Sequence, residues 1–325
     1  MDVVALGELL IDFTYSGTSG QGNRMYEANP GGAPCNVLSM LQKLGHSTAF
    51  IGKVGKDSFG RLLENAVKEQ GINTDGLVYD GTVPTTLAFV YTGSGGERDF
   101  SFYRNPGADM MLNQEEIDEG LIRQAKIFHF GSLSMTSGSA CKATEYAIGT
   151  AKKNNVLVSF DPNLRPPLWD NLDKAKEKIK YGFSQCDILK ISDNEIEFIT
   201  GMDDIEKGVM EIIKQYNIPF VCATMGRDGS KVFYNGSVIN GKPFHSDRTV
   251  ETTGAGDTFC GCMLHFILQY GIDGFTPVIL KDMLSYANAA ACLVTTRKGA
   301  LRVMPSISEI ENFRKCGICK EQIPE

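Results

Sequence analysis

The chain has 325 residues, of which 42% are hydrophobic and 22% are charged, and its formal net charge is −7. These values predict a globular protein with one large α/β domain spanning residues 1–325. The acidic balance and the lack of a Lys/Arg cluster argue against a nucleic-acid partner, and the lack of a long apolar run argues against a membrane partner. Nine cysteines in mostly apolar surroundings, and an N-terminus without a signal-peptide pattern, predict a cytoplasmic protein.

The first predicted strand, Val3–Leu6, leads to a candidate ligand residue. Asp12 follows shortly after this strand. Open α/β sheets place their ligand contacts just beyond the carboxyl ends of the strands, so Asp12 is a candidate for binding a substrate. The residue equally fits a turn that binds nothing.

A glycine-rich stretch, Pro30–Asn36, opens a predicted amphipathic helix at residues 37–44. Gly31 and Gly32 allow a ligand to approach the backbone closely, and the amide of Asn36 can form hydrogen bonds with neutral hydroxyl groups. An ordinary helix cap would use the same residues. The stretch therefore predicts either a substrate-binding helix N-terminus or a plain cap.

Two β-rich runs flank Gly93–Gly96 and predict a hairpin. This hairpin and the polar segment after Asp12 interrupt the alternation of strands and helices. They predict a small β lid, formed by segments at about 12–30 and 85–105, that covers the mouth of the main sheet. Arg104 closes the hairpin, where it is either a solvated edge charge or a clamp for a ligand.

Strands and helices alternate regularly from Ile127 onwards, which predicts a mostly parallel, doubly wound sheet flanked by helices. Asp161–Arg165 stands at the carboxyl end of one of these strands, and Ser192–Glu195 follows the next one. Asn235-Gly236 is the commonest two-residue hairpin turn and predicts a short antiparallel pair.

The stretch Glu251–Cys262 passes through two glycines and enters a helix whose apolar residues recur at helical spacing as far as Tyr270. The first N–H groups of a helix lack intrahelical partners and, together with the helix dipole, attract an anion. Asp257 lies inside this cradle, where its carboxylate either caps the helix or accepts a proton. The second alternative gives the working hypothesis: the turn Gly254–Gly256 holds a transferring phosphoryl group, and Asp257 activates the hydroxyl that receives it.

Several other motifs are incomplete. Gly236–Lys242 has most features of a P-loop, but Pro243 stands where Ser or Thr must hold magnesium. No GxGxxG follows the first strand, and the four histidines lack the spacing of a metal site. Cys316–Cys319 has CxxC spacing without a second pair, and we interpret it as part of a frayed C-terminal tail.

Pro30–Asn36 and Thr252–Asp257 resemble the two signatures of the ribokinase-like sugar kinases, also called the phosphofructokinase-B family. The resemblance extends over nearly the whole chain and is strongest to the fructokinase branch. Four further stretches carry it: Gly52–Gly60, Phe102–Pro106, Asp161–Trp169 and Thr224–Gly229. It implies a ribokinase-like α/β fold, doubly wound and mostly parallel, with a small β-sheet lid.

The resemblance also implies an activity and a set of site residues. The activity is that of an ATP-dependent fructokinase, which converts ATP and D-fructose to ADP and D-fructose 6-phosphate. Asp257 falls on the general base of the family, and the anion hole is formed by Gly254, Ala255 and Gly256. The implied substrate-binding residues are Asp12, Gly31, Gly32, Asn36, Arg104 and Arg165. The implied nucleotide-binding residues are Lys190, Thr224, Gly226, Gly229 and Asn288.

Two departures from the family pattern concern the metal ions. Relatives commonly carry Asp at the position of Glu251, which is linked to a monovalent cation, so potassium dependence stays open. The magnesium-associated motif Asn-x-x-Glu appears here as Ser192–Glu195, which leaves Glu195 as a water-mediated magnesium residue.

The resemblance leaves alternatives for the function and the assembly. A 2-keto-3-deoxygluconate kinase is the alternative enzyme, and a catalytically silent sugar-binding regulatory protein is the alternative from another class. Beyond the small molecules, the expected partner is a second copy of the chain, joined through the lid.

Overall fold

The structure is a computed structural model, and it describes residues 1–92, 98–136 and 138–316. Its strands are β1 (Val3–Leu6), β2 (Leu10–Thr18), β3 (Arg24–Gly31), β4 (Thr48–Gly55), β5 (Asn73–Asp80), β6 (Leu87–Thr92), β7 (Arg98–Tyr103), β8 (Ile127–Gly131), β9 (Leu157–Asp161), β10 (Ile188–Ser192), β11 (Phe220–Thr224), β12 (Ser230–Tyr234) and β13 (Ser237–Gly241).

The helices are α1 (Ala33–Lys43), α2 (Ser58–Glu69), α3 (Glu119–Arg123), α4 (Gly138–Lys153), α5 (Leu172–Gln185), α6 (Asp193–Thr200), α7 (Ile205–Tyr216), α8 (Ala255–Tyr270), α9 (Pro277–Val294) and α10 (Ile307–Cys316). Short 3-10 turns span Ala108–Met111, Gln114–Glu116, Leu133–Met135, Pro166–Leu168 and Gly226–Asp228. Within the described ranges, no helix combines the length and the apolar character needed to cross a bilayer.

The main sheet has the strand order β13-β12-β11-β10-β9-β8-β1-β4-β5. Its strands pair in parallel from β11 to β5, while β12 and β13 add an antiparallel edge. The turn between them is Asn235-Gly236, with both residues at positive φ, as the sequence predicts. The predicted doubly wound, mostly parallel sheet is therefore confirmed.

Helices cover both faces of this sheet because successive side chains of a strand point in opposite directions. Val3 and Ala5 of β1 pack into the cluster that contains the buried faces of α1, α8 and α9, whereas Val4 and Leu6 pack into the cluster of α4, α5 and α7. A Cβ on Gly261 would lie 2.7 Å from the Met40 Cβ, so α1 and α8 touch through this glycine. This contact holds the N-termini of the two helices side by side.

A smaller sheet, with the order β3-β2-β6-β7, lies across the carboxyl side of the main sheet. Alternate side chains on one face line a cleft between the two sheets, among them Asp12, Thr14 and Asn29. The other face carries a run of aromatic rings in contact with one another, one pair stacked and three edge-to-face. The strands of this sheet overlap the segments in which the sequence predicts a lid. The predicted turn Gly93–Gly96 and the tail beyond Cys316 lie outside the described residues.

Candidate active site

The N-terminus of α8 forms the floor of the cleft between the two sheets. Gly254 precedes the helix with φ 78°, and a Cβ there would lie 2.6 Å from the Cβ of Ala300, so only glycine fits without strain. The Ala255 N–H makes a long 3.3 Å bond to the carbonyl of Thr252. Gly256 comes next, at a position where a helix N–H has no intrahelical partner. The amide of Gly256 is thus the best-placed anion donor of the predicted hole.

Asp257 lies in the first turn of α8 because the helix begins at Ala255. Its Oδ2 atom accepts a hydrogen bond of 2.8 Å from Nδ2 of Asn36 on α1. Burial, together with the nearby charge of Asp161, raises the pKa of Asp257 to about 6, against the lowering effect of the Asn36 bond. A carboxyl group with a pKa close to neutral pH is suited to accept a proton.

Asn36 reaches Asp257 because α1 starts at Ala33 and not at residue 37, where the periodicity begins. Pro34 is tolerated there, since the first turn of a helix requires no N–H from it. Gly32 immediately before α1 has φ 137°, and a Cβ would lie 2.4 Å from the carbonyl oxygen of Glu8. The Oδ1 atom of Asn36 is buried without a hydrogen-bond partner in the part of the chain that is described.

The cleft has a volume of about 420 Å³ and contains most of the predicted transfer and substrate residues. The predicted residues that line it are Asp12, Gly31, Gly32, Asn36, Arg165, Lys190, Gly254, Gly256 and Asp257. Gly31 allows the carboxylate of Asp12 to sit close, since a Cβ at Gly31 would lie 2.3 Å from Asp12 Oδ2. The small sheet contributes Leu10, Thr14, Asn29, Val90 and Phe102.

Lys190 provides a buried positive charge beside the helix N-terminus. Its Nζ atom lies 3.1 Å from Asp161 Oδ2 and 3.2 Å from where a Cβ on Gly256 would be. Burial alone would lower the pKa of Lys190, but Asp161 and Glu195 outweigh it and raise the pKa above the ordinary value. The ammonium group is therefore permanently charged, next to the amide that would hold an anion.

Arg104 does not line the cleft, although the sequence suggests a sugar-binding role for it. Its guanidinium group is buried and forms an ion pair with Asp109, at 2.8 Å from Nε and 2.7 Å from Nη2. Nη1 donates to Thr136, and Nη2 also donates to the carbonyl of Leu133. These bonds tie the end of β7 to the turn after β8.

Glu195, the predicted magnesium residue, is buried at the start of α6. One carboxylate oxygen accepts the N–H of Leu164 and the other that of Ser192, both at 2.8 Å. The second bond belongs to a capping box formed by Ser192 and Glu195. Among the described residues, no three His, Cys, Asp or Glu side chains converge as a metal-binding group.

The remaining predicted nucleotide residues gather beside the cleft, at the carboxyl end of β11. Thr224 pairs with Ser230, whose hydroxyl donates to Asn288 Oδ1 at 3.0 Å. Gly229 has φ 91°, and a Cβ there would lie 2.3 Å from the carbonyl oxygen of Gly241. Gly226 opens the turn between β11 and β12. None of these four predicted residues is among the described residues that line the cleft.

Glu251 lines the cleft on the side of the turn after α9. Its Oε1 atom accepts the N–H of Gly299 at 3.2 Å, and its own N–H donates to the carbonyl of Thr295. The residue therefore connects the segment before α8 to residues 295–299, which approach the anion-binding turn.

Glu8 is a site residue that the sequence reasoning missed. It is buried, lines the cleft, and accepts the N–H of Ala33 at 2.9 Å through Oε1. Burial raises the pKa of Glu8 to about 7. The sequence signal is a charged residue that follows the end of β1 after one glycine, between two apolar stretches and nearer to the strand end than Asp12.

The family can be assigned from this geometry together with comparison to known proteins. Residues 1–307 match the family described as pfkB family carbohydrate kinase. The chain therefore belongs to the pfkB family of carbohydrate kinases. This class of enzyme transfers phosphoryl groups to sugars, which agrees with a buried carboxyl group at an anion-binding helix N-terminus.

Individual relatives are similar over nearly their whole length. The chain is 40% identical to the probable fructokinase-5 of Arabidopsis thaliana over 318 residues, which are 96% of this chain and 97% of that protein. The fructokinase of Xylella fastidiosa with bound ATP has a TM-score of 0.88 at 30% identity, covering 97% of this chain and 98% of that one. The fructokinase of Vibrio cholerae O395, solved with fructose, ADP and a calcium ion, has a TM-score of 0.86 at 30% identity, covering 96% and 99%.

Proposed function

We propose that the protein is an ATP-dependent fructokinase, which transfers the γ-phosphoryl group of ATP to O6 of D-fructose. The observation that carries the proposal is the buried carboxyl group of Asp257, held by Asn36 at the anion-binding N-terminus of α8. Fructokinases that resemble the chain over nearly its full length support the choice of reaction.

Asp257 is the proton acceptor in the proposed mechanism. With a pKa of about 6, its carboxylate is mostly ionised above neutral pH and still basic enough to take the proton of a sugar hydroxyl. The hydrogen bond from Asn36 leaves one carboxylate oxygen, Oδ1, to face the hydroxyl. A positioned base of this kind contributes about 10²–10⁴-fold to the rate.

The N-terminal turn of α8 and Lys190 stabilise the transferring phosphoryl group. The reaction requires positioning and compensation of negative charge more than covalent chemistry. The Gly256 amide and the helix dipole face the cleft, and the charged Nζ of Lys190 lies beside them. One well-aimed donor contributes about 3 kcal/mol to such stabilisation.

The small sheet acts as a lid within a single kinase domain of residues 1–325. Its cleft-facing side chains, including Asp12 and Asn29, cover the transfer point from the side opposite α8. Closing the sheet over a sugar would exclude water and so suppress hydrolysis of ATP. In this role Asp12 binds the sugar hydroxyls and positions O6.

The nucleotide would extend from Lys190 towards the residues at the end of β11. Thr224, Gly226 and Gly229 lie at that strand end, and the Ser230 hydroxyl joins Asn288 to it. Mg²⁺ typically binds substrate phosphates and only one or two carboxylates, which fits a site without a dedicated carboxylate cluster in the described residues. Glu195 would act on it through water, because both of its oxygens already accept backbone N–H groups.

The charges around the cleft favour a neutral sugar over a sugar acid. Four carboxyl groups line it, those of Glu8, Asp12, Glu251 and Asp257. Of the two cations that line it, Lys190 is paired with Asp161, which leaves Arg165 for a substrate carboxylate. Fructose therefore fits better than 2-keto-3-deoxygluconate.

A coupled assay of ADP release tests the substrate assignment. The purified protein is supplied with Mg-ATP and, in turn, fructose, 2-keto-3-deoxygluconate, ribose and adenosine, with and without potassium chloride. We expect the highest kcat/KM for fructose. A sugar acid preferred over fructose by more than about tenfold would overturn the substrate, and no turnover of any sugar would favour a silent sugar-binding protein.

A homodimer through the outer face of the small sheet is the proposed assembly. This face carries a run of aromatic rings in edge-to-face contact, of which Tyr15 is 53% and Tyr103 is 66% exposed. Exposed aromatic patches of this kind mark protein interfaces. Tyr103→Asp should convert a dimer to a monomer in light scattering, and a native protein that is monomeric at assay concentrations would refute the assembly.

The described cysteines support a cytoplasmic location. Six of them are buried free thiols: Cys35, Cys141, Cys186, Cys222, Cys260 and Cys262. Thiols in a core persist in a reducing compartment. We therefore propose that the kinase works in the cytoplasm.

A further inference from the structure

Two cations line the cleft, and they differ in how the protein compensates their charge. Lys190 is buried, and its ammonium group lies 3.1 Å from Oδ2 of Asp161. Arg165 is exposed, and its Nη1 atom donates to the carbonyl of Leu164 at 3.1 Å. Its guanidinium group forms no ion pair with any carboxylate in the part of the chain that the structure describes. The charge of Arg165 is therefore the one that an anion in the cleft can engage.

The backbone that carries Arg165 is held from both sides. Leu164 before it donates its N–H to Oε1 of the buried Glu195 at 2.8 Å. The 3-10 turn Pro166–Leu168 follows it, and the carbonyl oxygen of Arg165 accepts the N–H of Leu168 at 3.0 Å. The proline after Arg165 also restricts the conformations that its backbone can adopt. The Cα atom of Arg165 is thus fixed at the edge of the cleft, whereas no ion pair holds its long side chain.

The charge of Arg165 acts at the transfer point. Burial raises the pKa of Asp257 to about 6, and the positive charge of Arg165 is one of the weaker effects that lower it. Gly256, whose amide is the best-placed anion donor, directly precedes Asp257 in the first turn of α8, and both residues line the cleft. A cation that acts on this carboxylate also acts on an anion held one residue away, because charge interactions fall off gradually with distance.

The other charges of the cleft make an anion there expensive without a cation. Its lining carries four carboxyl groups, those of Glu8, Asp12, Glu251 and Asp257. A transferring phosphoryl group brings further negative charge into this space, and phosphoryl transfer depends on compensating that charge. A guanidinium group suits the task, since its planar fork forms two parallel hydrogen bonds with phosphate oxygens. The hydroxyl groups of a neutral sugar need no such cation.

We propose that Arg165 is a catalytic residue that binds the γ-phosphoryl group of ATP during its transfer, and that it does not bind the sugar. The proposal rests on the proposed function, in which ATP is the donor. O6 of the sugar gives its proton to Asp257 and forms a bond to the γ-phosphorus. The bond from that phosphorus to the bridging oxygen breaks, and its electron pair stays on ADP. The guanidinium group compensates charge on the γ-phosphoryl oxygens and exchanges no proton.

Arg165→Met tests the assignment by steady-state kinetics, because it removes the charge and keeps an apolar stem of similar length. We expect kcat with fructose to fall by about 10²–10³-fold. KM for fructose should stay within about threefold, since an interaction with the phosphoryl group does not bind the sugar. Arg165→Lys keeps the charge without the fork and should recover part of kcat.

Two kinetic outcomes would overturn the proposal. A KM for fructose that rises more than about tenfold with unchanged kcat would place Arg165 on the sugar. Native values of both parameters would make it a solvated surface charge.

Binding of a phosphoryl mimic tests the same contact without turnover. Calorimetry compares Mg-ADP alone with Mg-ADP plus aluminium fluoride, which mimics the transferring group, each in the presence of fructose. Arg165→Met should weaken the aluminium fluoride complex by about tenfold or more and the binding of ADP by less than about twofold. Equal losses in the two titrations would place the guanidinium group on the phosphates that ADP retains, and would contradict a contact with the γ-phosphoryl group.

Arg61→Met is the matched control. Arg61 is an exposed arginine on α2 that does not line the cleft. Its replacement should leave kcat and KM at native values, and an equal fall of kcat in both variants would refute a specific role of Arg165. The two proposals fail in different ways. Native protein that phosphorylates no sugar removes the proposed function, whereas active native protein with a fully active Arg165→Met variant removes only this inference.

Discussion

Asp257 and Arg104 are two buried charged residues that the sequence assigns to the same substrate site, and the structure gives them opposite surroundings. Asp257 has one neutral partner, the amide of Asn36, and its pKa rises to about 6. Arg104 has a carboxylate, a hydroxyl and a carbonyl as partners. The first charge is incompletely compensated and faces a cleft, whereas the second is compensated within the protein.

The difference shows how a buried charge becomes either reactive or structural. Burial makes the ionised form of a carboxyl group less favourable, so the carboxylate takes up a proton more readily and can act as a base. The guanidinium group of Arg104 is paired with Asp109 and joins β7 to the turn after β8. The predictions below separate these two roles, first through activity and then through stability.

The largest effect is expected for Asp257→Asn. The amide keeps the size of the side chain but cannot accept the hydroxyl proton, so kcat should fall by about 10²–10⁴-fold or more. Binding of fructose, measured by calorimetry, should stay nearly intact. Near-native turnover in this variant would remove Asp257 as the base and would end the contrast with Arg104.

Arg104→Met should act on stability instead. It leaves Asp109 buried without its cation, which costs about 3–5 kcal/mol in the free energy of unfolding. Denaturation by urea measures this loss. Arg123→Met is the control, because Arg123 is exposed and its ion pair with Glu119 contributes less than about 1 kcal/mol.

The opposite result for Arg104 is equally informative. A variant with native stability and a greatly increased KM for fructose would identify Arg104 as the substrate clamp that the sequence suggests. The residue would then have to leave Asp109 when the sugar binds, and both buried charges would belong to the site.

A smaller effect is expected for the stability of Asp257→Asn as a function of pH. The folded pKa of Asp257 is raised from 3.8 to about 6, so its contribution to stability is fully present below pH 3.8 and is lost as the pH rises through 6. The variant should therefore be more stable than the native protein above pH 6, by up to about 3 kcal/mol. The advantage should vanish near pH 4. Equal stability of the variant and the native protein at all pH values would show that burial does not raise the pKa of Asp257.

The sequence predicts the sheet well because the sheet depends on local patterns. Alternation of apolar strands and helices indicates a parallel sheet, and the glycine turn before Asp257 indicates a helix N-terminus that attracts anions. The predicted start of α1 is too late, because the small residues and Pro34 in its first turn carry no apolar periodicity.

The partners of the charged side chains could not be predicted in the same way. Arg104 meets Thr136, and Glu195 meets the N–H of Leu164, across distances in sequence that no local pattern encodes. Glu8 went unnoticed for a related reason, since only the packed start of α1 reveals what its carboxylate contacts. The role of a buried charged side chain depends on whether it has a compensating partner, and only the folded structure shows that.

The pH dependence of kcat for fructose in the native protein tests the central claim most directly. The claim is that an incompletely compensated carboxylate, that of Asp257, accepts the hydroxyl proton. With saturating fructose and ATP, the rate should be half-maximal close to pH 6 and should fall about tenfold for each further pH unit. A rate that stays constant down to pH 4.5, in protein that remains folded, would contradict it.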